Sequence, residues 1–193
     1  MKNNIYNISG KELIERLRLK DNKLVNTLYE TCFELLFKDN ERTTSIDSKA
    51  NNLLGILAVY LTIIISIVGL ISDKIGVYKV PIFGFPRPWL VSFYFLMVAF
   101  SFVSIIFISK ASIVRSDWRW VKDSDLFHKE MLKKDITSYK RYIITHVWEI
   151  YKNNYIINER KGVLLRWAQI WFVISLVMLL PIVVIIGLYV LQS

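Results

Sequence analysis

The sequence predicts an all-α fold: a polytopic membrane protein with three transmembrane helices and a cytoplasmic amphipathic helical bundle. Three observations carry this. Hydrophobic residues make up 54% of the 193. Uncharged runs at 50–72, 88–109 and 167–193 contain no Asp, Glu, Lys, Arg or His and are 23, 22 and 27 residues long. The charges collect between those runs. About 20 apolar residues are what a helix needs to cross ~30 Å of hydrocarbon. The chain therefore divides into a cytoplasmic N-terminal amphipathic helix at 1–45 and a membrane domain at 46–193. Within the membrane domain the spans lie at about 50–72, 88–109 and 167–191, with a cytoplasmic helical insertion at 110–166.

Taken in order, Ser9 and Glu12 have the spacing of a capping box, in which a hydroxyl and a carboxylate satisfy the orphan donors of a helix start. Ile14, Leu17, Leu24, Leu28 and Leu35 follow at helical spacing and make one apolar stripe, interrupted at Asp21. The stripe needs cover, either from the cytoplasmic helix before the third span or from a neighbouring copy. This helix is expected to end near Lys38, Asp39 and Asn40. No apolar block precedes residue 32, so no cleavable signal peptide is expected.

Asp47 and Lys49 are the last charges before the first span and belong at the membrane surface. Between the first two spans, Pro81, Pro86 and Pro88 exclude a long helix, and Tyr78, Phe83, Phe85 and Trp89 suit a short loop at headgroup depth. The second span is rich in Phe, a pattern of lipid contact and helix packing. Trp118 and Trp120 mark where its helix leaves the membrane, and Asp123 to Asp125 read as a turn. Asp135 or Thr137 caps the next helix. Its amphipathic pattern continues through Tyr142, His146, Ile150 and Ile157 into the third span as one helix of about fifty residues, with Pro181 removing one backbone bond.

The charge distribution orients the chain. Residues 1–49 hold nine Lys and Arg, residues 73–87 hold three, and residues 110–166 hold thirteen. Short membrane flanks rich in Lys and Arg stay inside. The N-terminus and 110–166 are then cytoplasmic, and 73–87 and the C-terminus lie outside. The net charge of +9 is accounted for by this topology and by attraction to anionic lipid, and no nucleic-acid binding is expected.

No catalytic constellation, cofactor motif or metal-ligand spacing is present, and the reading is a non-enzyme. His128 near Asp123, Asp125 and Glu130 reads as a polar helix start, and Cys32 is the only cysteine. Spans without ionisable groups argue against a secondary transporter, which needs such groups to bind ions or relay protons. They leave open a pore between subunits lined by Thr62, Ser66, Ser92, Ser101, Ser104 or Ser175.

Two polar clusters stand at the cytoplasmic edge of the spans: Asp47, Lys49 and Asn51 on the first, and Asn154, Asn158, Arg160 and Lys161 before the third. Asp47 is expected to face Arg160 or Lys161. As structure, the clusters fix helix register; as function, they form a collar for a ligand or partner. The pattern D-x-K-A-x-x-L-L from Asp47 to Leu54, with Lys161 to Ala168 before the last span, resembles the membrane effectors of the Pycsar antiphage family and related SLATT-type domains. The resemblance covers about 46–191. It implies a homo-oligomeric effector in the inner membrane of a bacterium that permeabilises or disrupts the bilayer after infection is sensed. Residues 1–45 are too short for a cyclic-nucleotide-binding β-barrel. The trigger is then expected from a cytosolic sensor protein, or from a nucleotide second messenger at the collar. The alternative is a structural or adaptor subunit that anchors a cytosolic partner.

Overall fold

The computed structural model describes residues 8–18, 21–75, 87–114, 119, 121–122, 133 and 135–192, except the side chains at 11, 14, 18, 67–75, 87–91 and 185–192. The regular elements among these residues are all helical: α1 (Gly10–Arg18), α2 (Asn22–Ile75), α3 (Arg87–Ile113) and α4 (Ile136–Gln192). The expected outer loop with its aromatic side chains, Trp118, Trp120 and the segment around His128 lie outside the described residues. Three helices are long and apolar enough to cross a membrane, over Asn22–Ser66, Ser92–Ile113 and Ile136–Val184.

The caps explain where the helices begin. The Ser9 hydroxyl accepts the Glu12 amide at 3.3 Å, while the Glu12 carboxylate takes Arg16 at 2.6 Å. Asp135 caps α4 by accepting the Ser138 amide at 3.1 Å. α4 then runs for 57 residues through Pro181.

The expected helix end near Lys38, Asp39 and Asn40 is corrected: α2, 54 residues long, passes through all three and ends at Ile75. Nothing in that triplet forces a stop. Lys38 reaches back one turn to Glu34 at 2.6 Å, which supports the helix, and Asp39 turns inward instead of capping. The break falls earlier, at Asp21, the residue that interrupts the stripe. It also resets the helical phase. Leu17 is buried as expected, but beyond the break Val25 is buried with 0% exposure while Leu24 is 41% exposed.

The chain forms two compact units. The first comprises Met1–Ile46 and Val114–Arg160, and the second Asp47–Ile113 and Lys161–Ser193. In the first, Leu17, Val25 and Cys32 pack on Ile143, Ile144 and Val147. Leu17 and Leu28 of the expected stripe are thus packed on α4 of the same chain, while Leu24 stays exposed. Burial pushes the Cys32 thiol up to about 11, so it is protonated and slow to react at neutral pH.

In the second unit the buried lines of three helices meet: Leu57, Tyr60 and Ile64 of α2, Met97, Ser101 and Ser104 of α3, and Ala168, Phe172 and Ser175 of α4. The hydroxyls in this core are satisfied. The Tyr60 hydroxyl donates to the Ser175 carbonyl at 2.9 Å, Ser175 Oγ lies 2.9 Å from both the Met97 carbonyl and Ser101 Oγ, and Ser104 donates to the Ala168 carbonyl at 2.8 Å. Ser101, Ser104 and Ser175 are therefore buried between the three helices of one copy, which their hydrogen bonds hold together. Thr62, Ser66 and Ser92 are exposed.

The phase reset is testable. Replacing Ile143 by Ala empties a fully buried site and should lower stability by about 2–5 kcal/mol. Leu24→Ala should change it by less than about 0.5 kcal/mol. Thermal unfolding in mild detergent, followed by circular dichroism, measures both. Equal losses would place Leu24 in the core.

Candidate functional site

Lys161 lies on the line of α4 that carries Leu165 and Ala168 four and seven residues later, all three buried. Its carbon stem can pack there, but an ammonium with no solvent exposure needs a counter-charge. Asp47 supplies it from α2. Lys161 Nζ lies 2.8 Å from Asp47 Oδ1, with side-chain exposures of 0% and 28%. The expectation that Asp47 faces Arg160 or Lys161 resolves to Lys161. Arg160, one residue back and about 100° round the helix, is exposed. Lys49 and Asn51 are also exposed.

Asn154 and Asn158 belong to the first unit, where both side chains are fully buried. The Asn154 amide brackets the backbone at Arg119: it donates to the Arg119 carbonyl at 2.8 Å and accepts the Arg119 amide at 3.1 Å. With its donor and acceptor so used, it positions the segment around Arg119. Asn158 donates to Asp39 Oδ1 at 2.9 Å and accepts the Thr43 hydroxyl at 3.1 Å. Arg42 and Glu159 form an exposed bridge at 2.5 Å beside this group, and Tyr155 lies under the Arg42 guanidinium.

Asp39, Thr43, Arg42 and Glu159 were not legible as site residues. The signal was present in one respect. Asp39 falls seven residues after Cys32 and fourteen after Val25, so it continues their buried line. Asp39 Oδ2 is buried without a hydrogen-bond partner among the described residues. Burial raises the Asp39 carboxyl above the usual carboxylate range, against the opposing effects of the Asn158 hydrogen bond and the Arg42 charge.

Chemically, these are positioning groups. Among the described residues no three His, Cys, Asp or Glu side chains are placed to hold a metal ion. The geometry offers two buried polar locks, one ionic and one made of amide, hydroxyl and carboxylate.

The two locks respond differently to change. Asp47→Leu leaves Lys161 charged and buried, and should cost about 3–5 kcal/mol. Lys161→Met removes the buried charge and leaves Asp47, which reaches solvent, so it should cost less. The double variant should recover most of the Asp47→Leu loss. Thermal unfolding of the four proteins gives the coupling, and simple additivity would show that the pair does not interact.

Asp39 gives a pH dependence. Because its carboxyl is raised in the folded state, its contribution to stability is present below the ordinary carboxylate value of about 3.9 and is lost as pH rises through the raised value. Asp39→Asn should match the parent near pH 4 and exceed it in stability at pH 7. Melting temperatures across that window test the sign; a less stable Asp39→Asn at pH 7 would reverse it. Comparison of the chain with protein-family models, curated proteins and solved structures found no match.

Proposed function

We propose that this chain is a non-enzymatic effector of a bacterial defence system, which self-associates in the inner membrane and breaches it when triggered. The observation that carries the reading is the set of three long apolar helices whose internal hydroxyls are used up in packing. One copy then offers no polar path among the described residues. Permeation requires several copies or disruption of the surrounding lipid. The resemblance around Asp47 and Lys161 supplies the defence context. The residues behind it, Asp47 and Lys161, form the buried ion pair.

In this reading the N-terminus and 110–166 are cytoplasmic, and residues 73–87 and the C-terminus are outside. The trigger is a sensor protein or a nucleotide second messenger acting at the cytoplasmic edge. The adaptor reading also has an observation in its favour: Phe37 is 65% exposed and Ile156 is 42% exposed in the first unit, surfaces a cytosolic partner can use.

Induced expression with a membrane-potential dye, with and without phage, separates the two. The effector reading expects depolarisation on triggering, lost in Asp47→Ala and Lys161→Ala although both variants still reach the membrane fraction. A charge swap at the two positions should restore part of it. Unchanged potential under all conditions would favour the adaptor. Reporter fusions at 2–5 and 124–128 should read inside, and those at 76–84 and after 193 outside; a cytoplasmic C-terminus would show that one helix does not cross.

A further inference from the structure

We propose that Lys49, Lys110 and Arg166, one from each helix of the second unit, form a cationic belt that binds the phosphates of net-anionic phospholipids. The proposal rests on the reading that these helices cross the membrane, and adds to it a lipid site at their cytoplasmic edge.

The belt follows from helix register. α2 and α4 run side by side in the same direction, with Asp47 on Lys161 and Tyr60 on Ser175. Lys49 is two residues beyond Asp47, so it stands level with residue 163 of α4. α3 runs the other way, with Ser104 on Ala168 and Ser101 on Ser175. Lys110 lies six residues past Ser104 and nine past Ser101, which puts it level with residues 162 to 166 of α4. Arg166 completes the set. Three cations from distant parts of the chain thus share one level to within about 6 Å, at ~1.5 Å per residue.

The belt has no counter-charge of its own. Among the described side chains of the second unit Asp47 is the only carboxylate, and Lys161 takes it in the buried pair. Lys49, Lys110 and Arg166 are all exposed. At 100° per residue, Arg166 is turned about 140° round α4 from Lys161, and Lys110 about 160° round α3 from the buried Ile108. Both side chains therefore leave the shared core.

The surroundings of the belt select lipid. Trp167 follows Arg166 and is 47% exposed, and an indole, with its one polar edge, is favoured at headgroup depth. Deeper in, each helix presents a large aliphatic side chain within two turns of its cation: Ile56, Ile106 and Ile170, exposed by 55%, 52% and 41%. A long cationic side chain at that boundary lays its carbon stem on hydrocarbon and lifts its head to the phosphate layer. A single protein partner fits less well. The three helices pack around one core, so side chains that leave it from α3 and from α4 point to different sides. Separate lipid molecules reach both.

Net charge alone predicts that every exposed cation of the chain contributes alike; the belt predicts that these three dominate. The parent in dodecyl maltoside is titrated with phosphatidylglycerol, phosphatidylcholine or inorganic phosphate, and the melting temperature is followed by circular dichroism. A rise is expected with phosphatidylglycerol only. The triple variant Lys49→Gln, Lys110→Gln, Arg166→Gln is expected to bind that lipid about tenfold or more weakly. A control variant removes the same charge from exposed cations of the first unit, Lys23→Gln, Lys38→Gln and Lys133→Gln, and is expected to bind like the parent. So is the charge-conserving triple Lys49→Arg, Lys110→Arg, Arg166→Lys, which separates lost charge from a damaged fold. Four results overturn the proposal: a control variant as weak as the belt variant, a charge-conserving variant equally weak, phosphatidylcholine acting as well as phosphatidylglycerol, or inorganic phosphate alone giving the rise. Carbonate extraction of native membranes tests the premise separately. A chain that leaves with the soluble fraction removes the membrane reading and the belt together, whereas a chain that stays but does not respond to phosphatidylglycerol removes the belt alone.

Discussion

A lysine ammonium with no solvent exposure must be neutralised where it stands, and this requirement constrains the second unit. Lys161 sits among Leu165 and Ala168 on one line of α4, and its only salt-bridge partner among the described residues is Asp47. Apolar seams of two long helices tolerate a slip of one heptad, because leucine against leucine differs little from leucine against isoleucine. A buried charge does not tolerate it: a slip would strand Lys161 in an apolar layer at a cost of several kcal/mol. The pair thus contributes more to register than to net stability. The Tyr60, Ser101 and Ser175 hydroxyls apply the same restriction further along the second unit, with shorter reach and no charge.

The first unit uses a softer version of the same device. Asn158 spans Asp39 and Thr43, and Asn154 brackets Arg119. An amide offers donors and an acceptor at fixed angles, so it specifies geometry without the desolvation cost of a full charge. Asp39 is the exception. Its second carboxylate oxygen is buried without a hydrogen-bond partner among the described residues, which makes this group responsive to protonation. A buried carboxyl left part-satisfied is a local conflict of the kind that marks functional or switching positions.

These polar layers bear on function through what they remove. The internal hydroxyls of the three-helix core are satisfied within one copy, and the exposed lines of α3 and α4 are apolar.

The sequence by itself determined the helical class, the three apolar stretches and the caps at Ser9 and Asp135, because these depend on composition and on neighbours three or four residues away. It also brought Asp47 into view as the partner of Arg160 or Lys161, since all three stand at the charged edge of an uncharged run, and the structure chose Lys161. Only the tertiary structure decided the rest. Lys38, Asp39 and Asn40 looked like a helix end because polar residues commonly are one. α4 makes them part of a continuous helix by giving Asp39 a buried partner in Asn158. Leu24 and Val25 are equally apolar, and the break before Asn22 decided which of them is buried. Ser101, Ser104 and Ser175 were candidates for a pore lining, yet they face inward, because a hydroxyl's role depends on which neighbour its helix meets. Local spacing sets which residues share a face of a helix. Which way that face points is set by packing between residues more than sixty positions apart, and that cannot be read from spacing alone.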